Sequence, residues 1–305
     1  IQKMVARNTN TLAFCEDKVL KILTNKDALF NADGNSNVTS TNNVLGQAVP
    51  LAGEYGISTN PESLTPDPDG FYWADVMRGN VLTLKGDQIA SISDMGMKDY
   101  FNDNMKDLDS VVGVFDEKKK EYSISLLKKA AQQQFRPTGV TLSYSQKSKG
   151  WVSFKDFLPE QGISLNNEFY TWNKGNLWQH HTNSTRNNFY GTQYNSDVTL
   201  LFNDQPGSVK SFGTINYEGS AAAITSFTQV NTTNAANQAL NNLNDSEYYN
   251  LWNKTGWYIE DITTNLQETG LLEFKNKEGK YFSTVKGKTT ELANLDEREF
   301  SVQGL

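Results

Sequence analysis

The chain has 305 residues, enough for one large domain or two ordinary ones. Its 28 basic and 35 acidic side chains give a net charge of −7, and the densest basic run is Lys118–Lys120, which argues against duplex nucleic acid as a direct partner because phosphate binding needs clustered positive charge. The single cysteine, Cys15, excludes an internal disulfide and a Cys-built zinc site, and no stretch approaches the roughly 18 apolar residues of a membrane-crossing helix.

Hydrophobic residues make up 37% of the chain, so a core is within reach, while abundant Asn, Ser, Thr and Gly favour turns and short strands over long helices. The first unit, "NTLAFCEDKVLKILTN", predicts strands over Leu12–Cys15 and Lys18–Leu23 around a turn at Glu16–Asp17. A long polar loop is expected from Asn25 to Gly46. "DGFYWADVMRGNVLTLKGDQIASIS" then predicts a three-strand antiparallel meander: Phe71–Ala74, Val81–Leu84 and Gln88–Ile92, joined by tight turns. Met97, Phe101 and Met105 are spaced for one face of a short helix. Hairpins follow at Val111–Phe115 with Glu121–Leu126, and at Thr141–Ser145 with Gly150–Phe154. "EFYTWNKGNLWQHHT" reads as Phe169–Trp172, an "NKGN" turn, and a return strand Leu177–Thr182, and Val198–Phe202 reads as a buried strand.

From about Thr228 the pattern weakens, and a soft boundary falls near residue 230, giving domains 1–230 and 231–305. A short helix is expected near Ala235–Leu243, a strand in "GWYIEDITTN", a hairpin turning at Lys277–Gly279, and a last strand in "LDEREFSVQGL" leading onward. A strand–turn–strand device recurs at Leu12–Leu23, Phe71–Leu84, Val111–Leu126 and Phe169–His180. Propeller blades repeat at about 40 to 50 residues, so the expected fold is all-β, a propeller-like meander of antiparallel hairpins with one short helix and a small C-terminal β region. A β-sandwich with insertions is the alternative.

Each candidate for chemistry has a plainer competitor. His180 and His181 are the only histidines. Neighbours on a strand point to opposite faces, so the pair should not ligate one metal, and structural hairpin histidines are expected. "DGNSN" at Asp33–Asn37 resembles the start of a calcium loop, but an EF-hand needs Gly and Glu where Val38 and Val44 stand. Asp75 with Glu168 could form a glycosidase pair only if the fold brings them face to face. Trp73, Trp151, Trp172, Trp178, Trp252 and Trp257 could stack on sugars, although strand aromatics more often fill cores or subunit contacts. No nucleotide-binding, P-loop or HExxH pattern occurs. No catalytic, cofactor-binding or metal-binding residue is assigned, and no cofactor is expected.

Six phrases carry a resemblance: "CEDKVLKILTNKDALFNADGN", "YGISTNPES", "GMKDYFNDNM", "LPEQGISLNNEFYTWNKGNLWQHH", "NFYGTQYNSDVTLLFND" and "KEGKYFSTVKG". They resemble a family of virion structural proteins of tailed bacteriophages, the tail nozzle or muzzle proteins of crAss-like and of marine and cyanobacterial phages. The resemblance implies a propeller-like component of the tail, packed in a homo-oligomeric ring around the DNA exit channel, with no catalytic residues to carry over. Implied partners are other tail and portal-proximal proteins and passing DNA bound without sequence specificity, in a particle assembled in the bacterial host cytoplasm. The start at Ile1 fits a piece of a longer polypeptide. Two rival readings remain open: a carbohydrate-binding or host-recognition module, and a polysaccharide-degrading enzyme.

Overall fold

The structure, a computed structural model, describes residues 1–7, 10–30, 36–128, 138–224, 232–233, 239–240, 248–264, 268–269, 272–287 and 303–304. The chain is mostly β, with several antiparallel sheets, and its contacts divide it into two units, Ile1–Asp197 and Val198–Leu305.

The first unit is built from consecutive meanders, each pairing its strands in chain order. Strands β1 (Lys3–Arg7), β2 (Asn10–Phe14), β3 (Val19–Phe30) and β4 (Ser36–Pro50) form the first sheet. The second holds β5 (Thr65–Asp67), β6 (Gly70–Asp75), β7 (Asn80–Lys85) and β8 (Gln88–Ser91). Helix α1 (Lys98–Asn104) leads to the third, β9 (Leu108–Asp116), β10 (Glu121–Lys128), β11 (Thr138–Ser145) and β12 (Gly150–Lys155). The fourth has three strands, β13 (Gln161–Leu165), β14 (Glu168–Asn173) and β15 (Asn176–Gln179). Short turns make this order inevitable, because adjacent hairpin strands pair before anything distant can compete. Between β14 and β15, Lys174 (φ 51°) and Gly175 (φ 70°) are both left-handed, as a two-residue hairpin turn of matching twist requires.

Each sheet buries a face against the next in chain order. Leu12, Phe14 and Val19 of the first sheet pack on Phe71, Trp73, Leu82 and Leu84 of the second. Tyr72, Ala74 and Val81 pack, with Phe101 and Met105 of the helical segment, on Val111, Tyr122, Ile124 and Leu142 of the third. Val112 and Val114 of the third meet Phe169 of the fourth. Strand alternation explains how a central sheet feeds two cores, since successive side chains leave opposite faces. The helix is held by the same packing: Phe101 is fully buried and Met97 and Met105 lie against it, which matches their expected shared face.

The first strand of the third sheet, β9, lies close to β5 of the second and the turn before it, and to β13 of the fourth. A Cβ on Gly113 of β9 would lie 2.1 Å from the Ser63 carbonyl oxygen, and one on Gly162 of β13 would lie 2.7 Å from Val114 Cγ1. Thr65 Oγ1 donates to the Gly113 carbonyl at 2.6 Å, and Tyr122 OH donates to the Ser63 carbonyl at 3.0 Å. Glycine is needed at Gly113 because a backbone carbonyl sits where a side chain would go, and at Gly162 because the packed Val114 side chain does.

Several expectations are corrected. The loop expected over Asn25–Gly46 is largely hairpin: Lys26–Phe30 pairs with Ser36–Ser40. Backbone ladders do not require apolar side chains, so a Thr/Asn-rich stretch pairs without announcing itself by alternation. Strand β5 was not expected; three residues are too few to show a period. Val198–Phe202 is neither strand nor buried, because no strand among the described residues pairs with it.

In the second unit, Lys275–Lys277 pairs with Lys280–Thr284 through a turn at Glu278 (φ 53°) and Gly279 (φ 79°), the hairpin expected from sequence, and Thr214–Glu218 adds to it as a strand that was not expected. Near the expected helix, Ala239–Leu240 instead pairs antiparallel with Thr232–Thr233, and the rest of that expectation lies outside the described residues. The described part of "GWYIEDITTN" forms isolated bridges at Trp257 and Thr263, and no ladder among the described residues includes it. Gln303–Gly304, the described part of the final segment, pairs in parallel with Lys210–Ser211.

Candidate functional site

A polar cluster lies where the third and fourth sheets meet, and it contains both histidines. Asp116 ends β9. Its Oδ1 accepts from the backbone N–H of Lys118 at 3.0 Å and of Lys119 at 3.1 Å, closing the turn that the lysine run occupies. Its Oδ2 accepts from His181 Nε2 at 2.6 Å. Burial pushes the Asp116 carboxyl up, but the His181 and Lys119 hydrogen bonds outweigh it and hold the group below its ordinary value.

Strand pairing continues one residue past β15, where the His180 N–H donates to the Phe169 carbonyl at 2.8 Å. His180 Nε2 and Thr171 Oγ1 share a hydrogen bond of 2.6 Å, and Thr171 Oγ1 and Tyr190 OH share another of 2.8 Å. The imidazole is walled by Phe157 and Phe169, at centroid distances of 5.0 and 4.9 Å. Burial, reinforced by the neighbouring His181, pushes His180 down to about 4, so it is neutral at neutral pH. Burial likewise raises the Tyr190 hydroxyl to about 12.

The expectation that strand alternation sends the two imidazoles to opposite faces is corrected. His181 adopts φ 64°, a left-handed turn out of the strand, and both rings lie against Phe169, with centroids 6.2 Å apart. Alternation holds only while the backbone stays extended.

A hydroxyl, two imidazoles and a carboxylate invite comparison with a nucleophilic triad, but the elements are divided between two rings. Thr171 is bonded to His180, whereas Asp116 is bonded to His181. A triad needs one imidazole bonded to both, so that the base taking the proton is also the base stabilised by the carboxylate. The arrangement is suited to locking: Asp116 ties the third sheet to the fourth, and Thr171 ties β14 to His180 and Tyr190. The charge-assisted pair and the aromatic box together resist separation of the two sheets. Lys118 Nζ adds a weaker, exposed link to Glu168 at 3.4 Å.

The acidic pair considered from sequence is not brought together. Asp75 ends β6 and is fully buried; its oxygens accept from Gly56 N–H at 3.0 Å, Ser58 Oγ at 2.9 Å and Arg78 Nη1 at 3.0 Å. Glu168 belongs to the fourth sheet and is bonded to Lys118 and Gln179. Asp33, Gly34 and Asn35 of the possible calcium loop lie outside the described residues, while Ser36 and Asn37 are in β4. Among the described residues, no group of three or more His, Cys, Asp or Glu is placed to hold a metal ion. Of the tryptophans, Trp73 is fully buried with its indole N–H on the Gly56 carbonyl, Trp151 packs on Phe101, and Trp178 packs edge-on against Tyr190. Trp252 and Trp257 of the second unit are exposed.

Sequence reasoning found the histidines but not Asp116, Thr171 or Tyr190. Asp followed by a polar turn is a readable local signal for Asp116, whereas its tie to His181, 65 residues away, has none.

Comparison with family models matches residues 1–175 to one described as crassvirus muzzle protein, and residues 184–288 to one described as crassvirus muzzle protein C-terminal domain. Comparison with curated proteins returns no match.

Proposed function

From the premise that this chain belongs to the crassvirus muzzle protein family, a phage structural family, we propose that it is a tail nozzle subunit, forming with further copies a ring around the DNA exit channel. The observation that carries the reading furthest is the serial stacking of antiparallel meanders, in which the first strand β9 of the third sheet lies close to β5 of the second, at Thr65 and Gly113, and to β13 of the fourth, at Val114 and Gly162. That is how propeller blades are joined, face to face with inner strands close together, and it makes a stiff body suited to wall construction. The net charge of −7 supports passage of DNA without capture, because a wall of like charge repels phosphate.

The Asp116–His181 and His180–Thr171–Tyr190 ties serve this role as fasteners, and no chemical step is assigned to them. Partners are other tail and portal-proximal proteins, and assembly takes place in the host cytoplasm. No helix among the described residues is long and apolar enough to cross a membrane.

The test is to image purified phage particles by electron cryomicroscopy and to identify the tail-tip polypeptides by mass spectrometry. The proposal expects several copies of this chain in a closed ring below the portal. A particle that lacks the chain, or carries it away from the DNA path, refutes it.

A further inference from the structure

The fourth sheet is one strand short of the three that precede it. Among the described residues, sheets one to three have four strands each, whereas the fourth ends at β15. Among the described residues no strand pairs with the outer edge of β15, and the hydrogen-bonding register of that edge follows from its pairing with β14. The His180 N–H donates to the Phe169 carbonyl, so 169 and 180 are a hydrogen-bonded pair. Antiparallel pairs alternate, so 171 with 178 is bonded, while 170 with 179 and 172 with 177 are not. The backbone N–H and C=O groups of Leu177 and Gln179 therefore point away from β14. Residues 176–179 are all exposed, and among the described residues the outward groups meet only a long 3.5 Å approach of Thr182 Oγ1 to the Gln179 carbonyl.

The face of this sheet turned away from the third carries an apolar row, with Gln161, Glu168 and Gln179 beside it. The register places Ile163 beside Tyr170, and Trp172 beside Leu177, on that side; Ile163, Leu165 and Leu177 are 50%, 65% and 57% exposed. An unpaired edge beside an apolar row is a template for an added strand.

The chain also carries a strand without a sheet. Val198–Phe202, "VTLLF", has the length and β-branched, apolar character of a core strand. Yet Leu201 is 89% exposed, and Val198, Leu200 and Phe202 are each more than 60% exposed. Among the described residues, no ladder includes it.

We propose that Val198–Phe202 of one copy adds to the β15 edge of a second copy as the fourth strand of its fourth sheet. The identity of the occupant follows from what the edge lacks and what the chain has spare. Leu177 and Gln179 offer alternate backbone groups to an extended segment. Alternation then puts Val198, Leu200 and Phe202 on one side, where they extend the row of Ile163, Trp172 and Leu177. Each copy holds one donor segment and one acceptor edge, so the contact is head-to-tail, the type that closes into a ring when the rotation permits. The inference rests on the ring reading above and supplies its contact.

The test uses the full 305-residue chain and two variants. L200E places a charge in the donor and leaves the edge intact. Q179P removes an outward edge N–H while leaving the β14 ladder whole. Sedimentation velocity over rising concentration is expected to show association of the parent chain and monomers for each variant. Mixing the two variants is expected to restore a one-to-one pair, because one retains its edge and the other its donor strand. Circular dichroism and melting curves matching the parent verify that both variants are folded. If the parent associates and both variants associate equally, this contact is overturned while the ring reading stands. If the folded parent stays monomeric throughout, or the mixed variants fail to pair, the proposal is likewise overturned. The ring reading itself is judged separately, by the position of the chain in particles.

Discussion

Asp75 is the most completely enclosed acidic side chain described, and its replacement gives the sharpest test of how the first two sheets are held. It accepts four hydrogen bonds: from Gly56 N–H at 3.0 Å, Ser58 Oγ at 2.9 Å, Arg78 N–H at 3.3 Å and Arg78 Nη1 at 3.0 Å. Its side chain is 0% exposed, whereas that of Arg78 is 35% exposed. The two halves of the ion pair should therefore differ. D75A strands the Gly56 and Ser58 donors inside the protein, at about 1–3 kcal/mol each, while Arg78 turns to water. Together with loss of the buried charge pair, a destabilisation of about 4 kcal/mol is expected. R78A leaves the carboxylate with its backbone and Ser58 donors and should cost about 1–2 kcal/mol. D75N keeps the shape and one acceptor and should fall between them. The assay is urea unfolding at neutral pH followed by tryptophan fluorescence, with Trp73 as a nearby reporter through its indole N–H on the Gly56 carbonyl at 2.8 Å. For a unit of this size, 4 kcal/mol corresponds to a melting temperature lower by roughly 10 °C. A cost below about 1 kcal/mol for D75A, or an equal cost for R78A, would refute the reasoning.

The His180 site makes stability pH-dependent. Its folded value of about 4 lies below the ordinary 6.5, so the unfolded chain binds the extra proton between them. Stability is full above about pH 6.5 and falls as pH drops toward 4, by roughly 2–3 kcal/mol. H180F should flatten the dependence in that window when melting is followed across pH; an unchanged slope would show that other groups set it. The depressed Asp116 carboxyl contributes above the ordinary carboxylate range and is lost at lower pH, so D116N should remove a more acidic part of the transition. G113A should cost about 3 kcal/mol or more, because its methyl would meet the Ser63 carbonyl at 2.1 Å, whereas G150A, whose nearest neighbour is at 3.9 Å, should stay within about 0.5 kcal/mol in the same melts. Y122F should cost about 1 kcal/mol by unsatisfying the buried Ser63 carbonyl, and an effect near zero would mean the carbonyl finds another donor.

Local chemistry alone made most of the first unit legible. "NKGN" and "KEGK" supply left-handed residues between alternating strands, so the hairpins at Phe169–Gln179 and Lys275–Thr284 are readable wherever they sit. Spacing alone set the face of α1, and the net charge with a lone cysteine bounded the partners and the scaffold. Tertiary structure decided the rest. Lys26–Ser40 is a strand pair because its partner is near, not because its side chains alternate. Val198–Phe202 has every local mark of a buried strand and is exposed, because a strand needs a neighbour for its backbone and its own sequence does not provide one. The two histidines were visible from the first reading, yet one left-handed residue at His181 placed both rings against Phe169 and handed one of them to Asp116. A backbone angle and a partner 65 residues away are set by the packing of whole sheets, and no window of sequence contains that packing.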